Sequence, residues 1–173
     1  MRYAWLCLLV VLFMMQGCGG RPFTVTVPAD WKAVEETRSF VVYTKQGKPL
    51  QMVLVRVQSL DKELNFTTKR FMKGMLPHEA AEIVADTVRA NPQLAQQEII
   101  ENAPAMIAGH QGFKVTYRYQ TPEGLRKQAV QYGFLTDEQL YLLAYEAPTR
   151  YYYATDLPTF ERVKESFQLK SSQ

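Results

Sequence analysis

The sequence predicts an α+β fold, an antiparallel β-sheet with helices packed on it. Three observations carry that prediction. Several stretches alternate apolar and polar residues with the period of a half-buried strand. The strand candidates are joined by short turns containing Gly and Pro rather than by crossovers, and two stretches of helical period fall among them in the order strands, helix, strands, helix.

The elements follow in chain order. FTVTV, from Phe23, has β character. SFVVYTK and QMVLVRVQ form a hairpin through Gln46-Gly47-Lys48-Pro49. Leu76-Pro77-His78-Glu79 opens a helix, because Pro77 suits its first turn and Glu79 and Glu82 complement the positive end of the dipole. Ala80, Ile83, Val84, Thr87 and Val88 make its apolar stripe, and Asn91-Pro92 stops it. FKVTYRYQ is the cleanest strand, with Phe113, Val115, Tyr117 and Tyr119 on one face and Lys114, Thr116, Arg118 and Gln120 on the other. Pro122 and Gly124 turn the chain back into RKQAVQYGFL. QLYLLAYEA is apolar on both faces and is therefore expected to be central and covered on both sides. A second helix is expected from about Leu157 to Phe167, capped by Thr155 or Asp156, with Phe160, Val163 and Phe167 buried.

The start of the chain has another character. Ala4 to Met15 is a run of twelve apolar residues behind Met1-Arg2-Tyr3. In a helix it would reach about 18 Å, against the ~30 Å of a bilayer core, so residues 1–17 read as a cleaved signal peptide. The run ends in Gln16-Gly17-Cys18-Gly19, which resembles the lipobox of bacterial lipoproteins, with Met15 and Gln16 departing from its usual residues. By that resemblance Cys18 is the lipidation site, and Gly19 in place of Asp favours the outer membrane over the inner. With Cys7 inside the signal, Cys18 is the only cysteine of the mature chain, which leaves no partner for an internal disulfide. Residues 18–22 form the anchor and a short tether, 23–169 one domain, and 170–173 a tail.

Composition limits the chemistry. Twenty Lys and Arg less Arg2 leave 19 basic against 17 acidic side chains, with no basic cluster of the kind that binds nucleic acid. The string HEAAE, from His78 to Glu82, lacks the second histidine of a zinc-peptidase helix, and Glu82 stands at that position. His110, in AGHQG, reads as a solvated turn residue. Neither a G-x-S-x-G, a P-loop nor a G-x-G-x-x-G occurs. No catalytic residue, metal site or cofactor is expected. Arg150-Tyr151-Tyr152-Tyr153 is the most unusual local composition. By strand period Tyr151 and Tyr153 share a face and Tyr152 is exposed, so Arg150 and Tyr152 are the candidate partner-binding residues.

From Phe23 to Leu169 the pattern resembles the PsbP-like fold, shared by the photosystem II extrinsic protein, a Ran-binding nuclear transport factor and many bacterial lipoproteins. The residues that carry the resemblance are Pro28 and Trp31 in FTVTVPADW, then Tyr117-Arg118-Tyr119, Leu140 to Leu143, Arg150-Tyr151 and Glu165-Ser166-Phe167, in the family's order. The resemblance implies an α/β/α sandwich that acts as a binding or assembly module without catalytic residues. The expected function is a membrane-anchored periplasmic lipoprotein, held to the membrane through lipid on Cys18, that binds an envelope protein. The alternative is a carrier or sensor of a small apolar ligand or metal ion held between sheet and helix.

Overall fold

The computed structural model describes residues 20–170, so the predicted signal peptide, Cys18 and the final residues lie outside them. The elements are β1 (Phe23–Thr24), β2 (Lys32–Glu36), β3 (Phe40–Thr44), β4 (Met52–Ser59), α1 (Pro77–Ala90), β5 (Ala95–Ile107), β6 (His110–Gln120), β7 (Arg126–Leu135), β8 (Gln139–Pro148), α2 (Tyr152–Glu165) and β9 (Gln168–Leu169). Seven strands make one sheet in the order β2-β3-β4-β8-β7-β6-β5, and every neighbouring pair is antiparallel. It is two meanders joined where β4 pairs with β8. As its two apolar faces predict, β8 lies in the middle, with Tyr141, Leu143, Tyr145 and Ala147 buried on one face, but the cover expected on both sides is incomplete, because Leu142 and Ala144 on the other face are only half-buried.

The helices lie on opposite faces. α1 packs on β5, β6 and β7, laying Ala80, Val84 and Val88 against Phe113, Val115, Tyr117 and Tyr119. Its start is tied by the Glu79 carboxylate, which accepts the Leu76 N–H at 2.8 Å, and the Asn91 N–H donates to Val88 O at its end. α2 packs on β7 and β8, and its Tyr153, Phe160 and Val163 join Trp31, Tyr145 and Phe167 in an aromatic core. β1 and β9 pair with each other beside this helix, where Phe23 stacks on Phe167 at 5.8 Å. Both cores draw their side chains from Phe23 to Leu169, so residues 20–170 are a folding unit. No helix among the described residues is long and apolar enough to cross a membrane.

Three elements differ from the expectation. α2 starts at Tyr152, not Leu157: Pro158, which suits a first turn, sits inside the helix, where it leaves only the carbonyl of the exposed Ala154 without its usual partner. β2 and β5 have no clear signal in the sequence because both are sheet edges. β2 is exposed along its whole length, and β5 carries Pro104 in its interior, tolerable only where one side of the strand has no neighbour to serve. The turn between β5 and β6 is two residues long. Ala108 and Gly109 have φ of 48° and 81°, the two left-handed residues that a twisted hairpin requires.

Candidate functional site

The Arg150–Tyr153 stretch is the corner between β8 and α2. Thr149 closes β8 by donating its backbone N–H to Arg126 O at 3.1 Å. The chain then turns through Tyr151, whose φ of 79° is uncommon for any residue but glycine and costly for a bulky one. Two hydroxyls hold the corner: Thr155 Oγ1 donates to Tyr151 O at 2.7 Å, and Tyr145 donates its phenol hydrogen to Tyr152 O at 2.9 Å. Because residues 152 onward are helical, the strand alternation does not apply. Successive side chains turn by about 100° about a helix axis, so the tyrosines point three ways. Tyr153 is buried and stacks on Tyr145 at 5.5 Å, while Tyr152 is half-buried. Tyr151, and not Tyr152, is the ring in solvent, 71% exposed, and it meets Tyr152 edge-on at 5.3 Å. Arg150 beside it is exposed.

A buried acid lies beneath this corner. Asp156, expected as a helix cap, is instead in the second turn and 3% exposed. Its carboxylate accepts Gln51 Nε2 at 2.8 Å and faces Lys45 Nζ at 3.5 Å, and Lys45 also reaches Asp30 at 3.2 Å. Burial, with the Asp156 charge nearby, pushes the Tyr145 phenol well above its ordinary range. The cluster thus pins the β3–β4 hairpin to α2. It is structural chemistry: all its members but Lys45 and Asp30 are enclosed.

The other candidates fall apart. His78 is exposed on the first turn of α1, Glu79 is used in the cap, and Glu82 accepts Asn102 Nδ2 at 2.7 Å. His110 opens β6 after the turn and is half-buried rather than free in solvent, because its ring stacks on Phe134 at 4.6 Å. No group of three His, Cys, Asp or Glu side chains among the described residues is placed to hold a metal. Cys18 lies outside the described residues.

Two features of the α1 face escaped the sequence. Lys127, 5% exposed, pairs with Glu146 at 2.7 Å, and Glu146 also accepts the Tyr119 hydroxyl at 2.9 Å. Burial and the Glu146 charge push the Tyr117 and Tyr119 phenols far up. Beside this cluster a hollow of about 320 Å³ opens between the C-terminal half of α1, the chain at 62–66 and the part of the sheet that α1 leaves bare. Leu54, Leu142 and Ala144 form its floor, Val84 and Val88 one wall, and Arg56, Gln58 and Lys62 its polar rim. The period of β4 places Leu54, Arg56 and Gln58 on one face, but only the sheet order shows that α1, which packs on β5, β6 and β7, leaves that face open.

A family profile described as PsbP matches residues 20–169. No curated protein matches the chain. Among solved structures, the fold is similar to LpqN of Mycobacterium tuberculosis, described as involved in cell envelope biogenesis, with a TM-score of 0.60 at 14% identity over 90% of this chain and 87% of that one. It is similar to cyanobacterial PsbP (CyanoP) from Synechocystis sp. PCC 6803, with a TM-score of 0.60 at 14% identity over 86% of each. The Saccharomyces cerevisiae Ran-binding protein Mog1p is also similar, with a TM-score of 0.56 at 11% identity over 86% of this chain and 90% of its own.

Proposed function

The chain belongs to the PsbP family, and from that premise we propose that it is a non-enzymatic binding module, anchored through lipid on Cys18 and seated on another envelope protein through Arg150, Tyr151 and Tyr152. The observation that carries this reading is Tyr151. A tyrosine held at φ 79° and 71% exposed combines a backbone cost of order 1–3 kcal/mol with an aromatic ring left in water. Inside the domain the corner is held by the Thr155 hydroxyl on the Tyr151 carbonyl, and the ring meets Tyr152 alone among the described aromatic rings. Strained residues gather at functional sites such as ligand clamps and switch regions, and Tyr and Arg are among the types enriched at interface hot spots. Two relatives of the same fold support the role: one is described as involved in cell envelope biogenesis and one as Ran-binding. The lipobox-like Gly17-Cys18 supports the anchor, and Gly19 supports the periplasmic face of the outer membrane.

The test uses the full chain in cells. A photo-crosslinking side chain at position 151 should give one discrete adduct that a probe at exposed His78 does not give and that Arg150→Ala abolishes. Cys18→Ser should move the chain from the membrane to the soluble fraction. An adduct pattern indifferent to Arg150→Ala overturns the binding corner, and a Cys18→Ser chain that stays on the membrane overturns the anchor.

A further inference from the structure

The hollow beside α1 is unusual in what its rim lacks. Gln58, which lines the hollow, is 7% exposed, and its Nε2 donor has no hydrogen-bond partner among the described residues. A buried amide donor left unpaired costs about 1–3 kcal/mol, so such a group ordinarily has an acceptor. Arg56 and Lys62 share the rim, and Arg38 stands across the adjoining depression on β2–β4, which shares Leu54, Arg56 and Gln58 with the hollow. None of the ion pairs among the described residues includes Arg38, Arg56 or Lys62. The two carboxylates on these rims are already engaged, Glu63 by Arg70 and Glu35 by Lys48. The end of the hollow at Arg56, Gln58 and Lys62 is therefore rich in donors and carries two positive charges, while Asn65, Asn91 and Gln131 add only neutral polar groups elsewhere on the lining. Below it the floor and walls are aliphatic, and the volume lies at the lower end of the roughly 300–1,000 Å³ of small-ligand sites.

We propose that this hollow binds a single-chain carboxylate amphiphile, with its hydrocarbon against Leu142, Ala144, Val84 and Val88 and its carboxylate at Gln58, Arg56 and Lys62. The chemistry follows from the parts. A carboxylate is acceptor only, can take both oxygens to one guanidinium, and satisfies the Gln58 donor in the same place. A neutral chain would leave Arg56 and Lys62 without a counter-charge, and a free small anion would leave the aliphatic walls wet. The site is distant in kind from the Arg150–Tyr152 corner, and it stands or falls without it.

The experiment uses residues 20–170 and dodecanoate below its critical micelle concentration. Calorimetry should give one site per chain, and the side-chain amide resonances of Gln58 should shift on binding. Arg56→Met, which keeps the aliphatic stem, and Gln58→Leu should each weaken binding by roughly 10-fold or more. Acetate should not bind measurably, and dodecanol should bind at least roughly 10-fold more weakly than dodecanoate. Dodecanol binding as tightly as dodecanoate, an unmoved Gln58 amide, or an Arg56→Met domain of unchanged affinity would each overturn the proposal. The amide readout is made on the unsubstituted domain, so it decides even if a variant unfolds.

Discussion

The two faces of the sheet are built from opposite materials. The α2 face is aromatic and closed: Tyr145 stacks on both Tyr153 and Phe160, Trp31 meets Tyr145 edge-on at 6.5 Å, and Phe134 stacks on Tyr141 at 5.0 Å. The α1 face is lined by the small residues Ala80, Ala81 and Ala85, which bring the helix close to β6, but α1 spans only the β5-β6-β7 half. Closeness on one half leaves the other uncovered, and the chain at 60–71 closes it only in part through Leu60 and Phe71. The difference teaches where to look for function. A closed aromatic face carries stability, whereas the half-covered face carries an open hollow and an unpaired donor.

Strong alkali should have the largest effect, because it acts on both faces at once. Tyr117 and Tyr119 on the α1 face and Tyr132 and Tyr145 on the α2 face all titrate above the ordinary value of 10.0, chiefly through burial. For an acid whose folded pKa is raised, the unfolded chain binds fewer protons above pH 10, so stability is intact below that pH and falls as pH rises beyond it. The expected result is one cooperative unfolding step above pH 10, with phenolate absorbance rising in the same step. Two separated steps would mean that the faces are independent units. Next in size is Phe160→Ala, which empties the middle of the aromatic stack at a fully buried position. Denaturant unfolding should register a loss of about 3–5 kcal/mol. A loss below about 1 kcal/mol would show that the face repacks and is not the rigid one.

The same contrast explains what was legible in the sequence. Strands β3, β4, β6, β7 and β8 and helix α1 all showed, because each buries a regular face and its period is written in Val55, Val57, Phe113, Val115 or Ala80 and Val84. The edge strands did not show, because Ile100 and Met106 are exposed on β5 and an edge owes the core little. The corner before α2 departs from its sequence pattern for a local reason: three successive tyrosines read as extended, Pro158 reads as a first helical turn, and the left-handed φ of Tyr151 leaves no mark in residue type. Arg150 and the neighbouring tyrosines were legible as unusual, but which ring is exposed depended on where the helix starts. The hollow was not legible at all. Its floor and rim come from β4, β8, α1 and the loop after β4, which only the pairing of β4 with β8 brings together.

Two glycines probe how tightly each face is packed. A methyl at Gly112 would lie 2.2 Å from the Gly133 carbonyl oxygen and 2.7 Å from Ile107 on the α2 side, whereas one at Gly133 would meet the Phe113 ring at 2.4 Å and Leu142 at 2.8 Å on the α1 side. Backbone cannot give way as a side chain can, although the Phe113 ring is itself fully buried. Gly133→Ala should therefore cost about 1–3 kcal/mol and Gly112→Ala more, read from denaturant midpoints at constant m. The reverse order would mean that the α1 face is the less forgiving one.

The smallest effect on stability is expected at Tyr151, and it separates the corner from both cores. The ring is 71% exposed and its only aromatic neighbour among the described residues is the half-buried Tyr152, so little apolar area returns to water when it is removed. The backbone argument has the opposite sign. At φ 79° any side chain carries a Cβ penalty that glycine does not, while glycine adds freedom to the unfolded chain and gives up the ring's edge-on contact with Tyr152, so the gain is offset by two losses. Tyr151→Gly should therefore keep stability within roughly 0.5 kcal/mol of the parent, whereas Tyr153→Ala, which removes a ring stacked on Tyr145, should lose about 3 kcal/mol. The same Tyr151→Gly chain should lose the envelope adduct, trapped by a crosslinker at the exposed position 154. A fall in stability as large as that of Tyr153→Ala would make Tyr151 part of the aromatic core, and an intact adduct would remove it from the partner's surface.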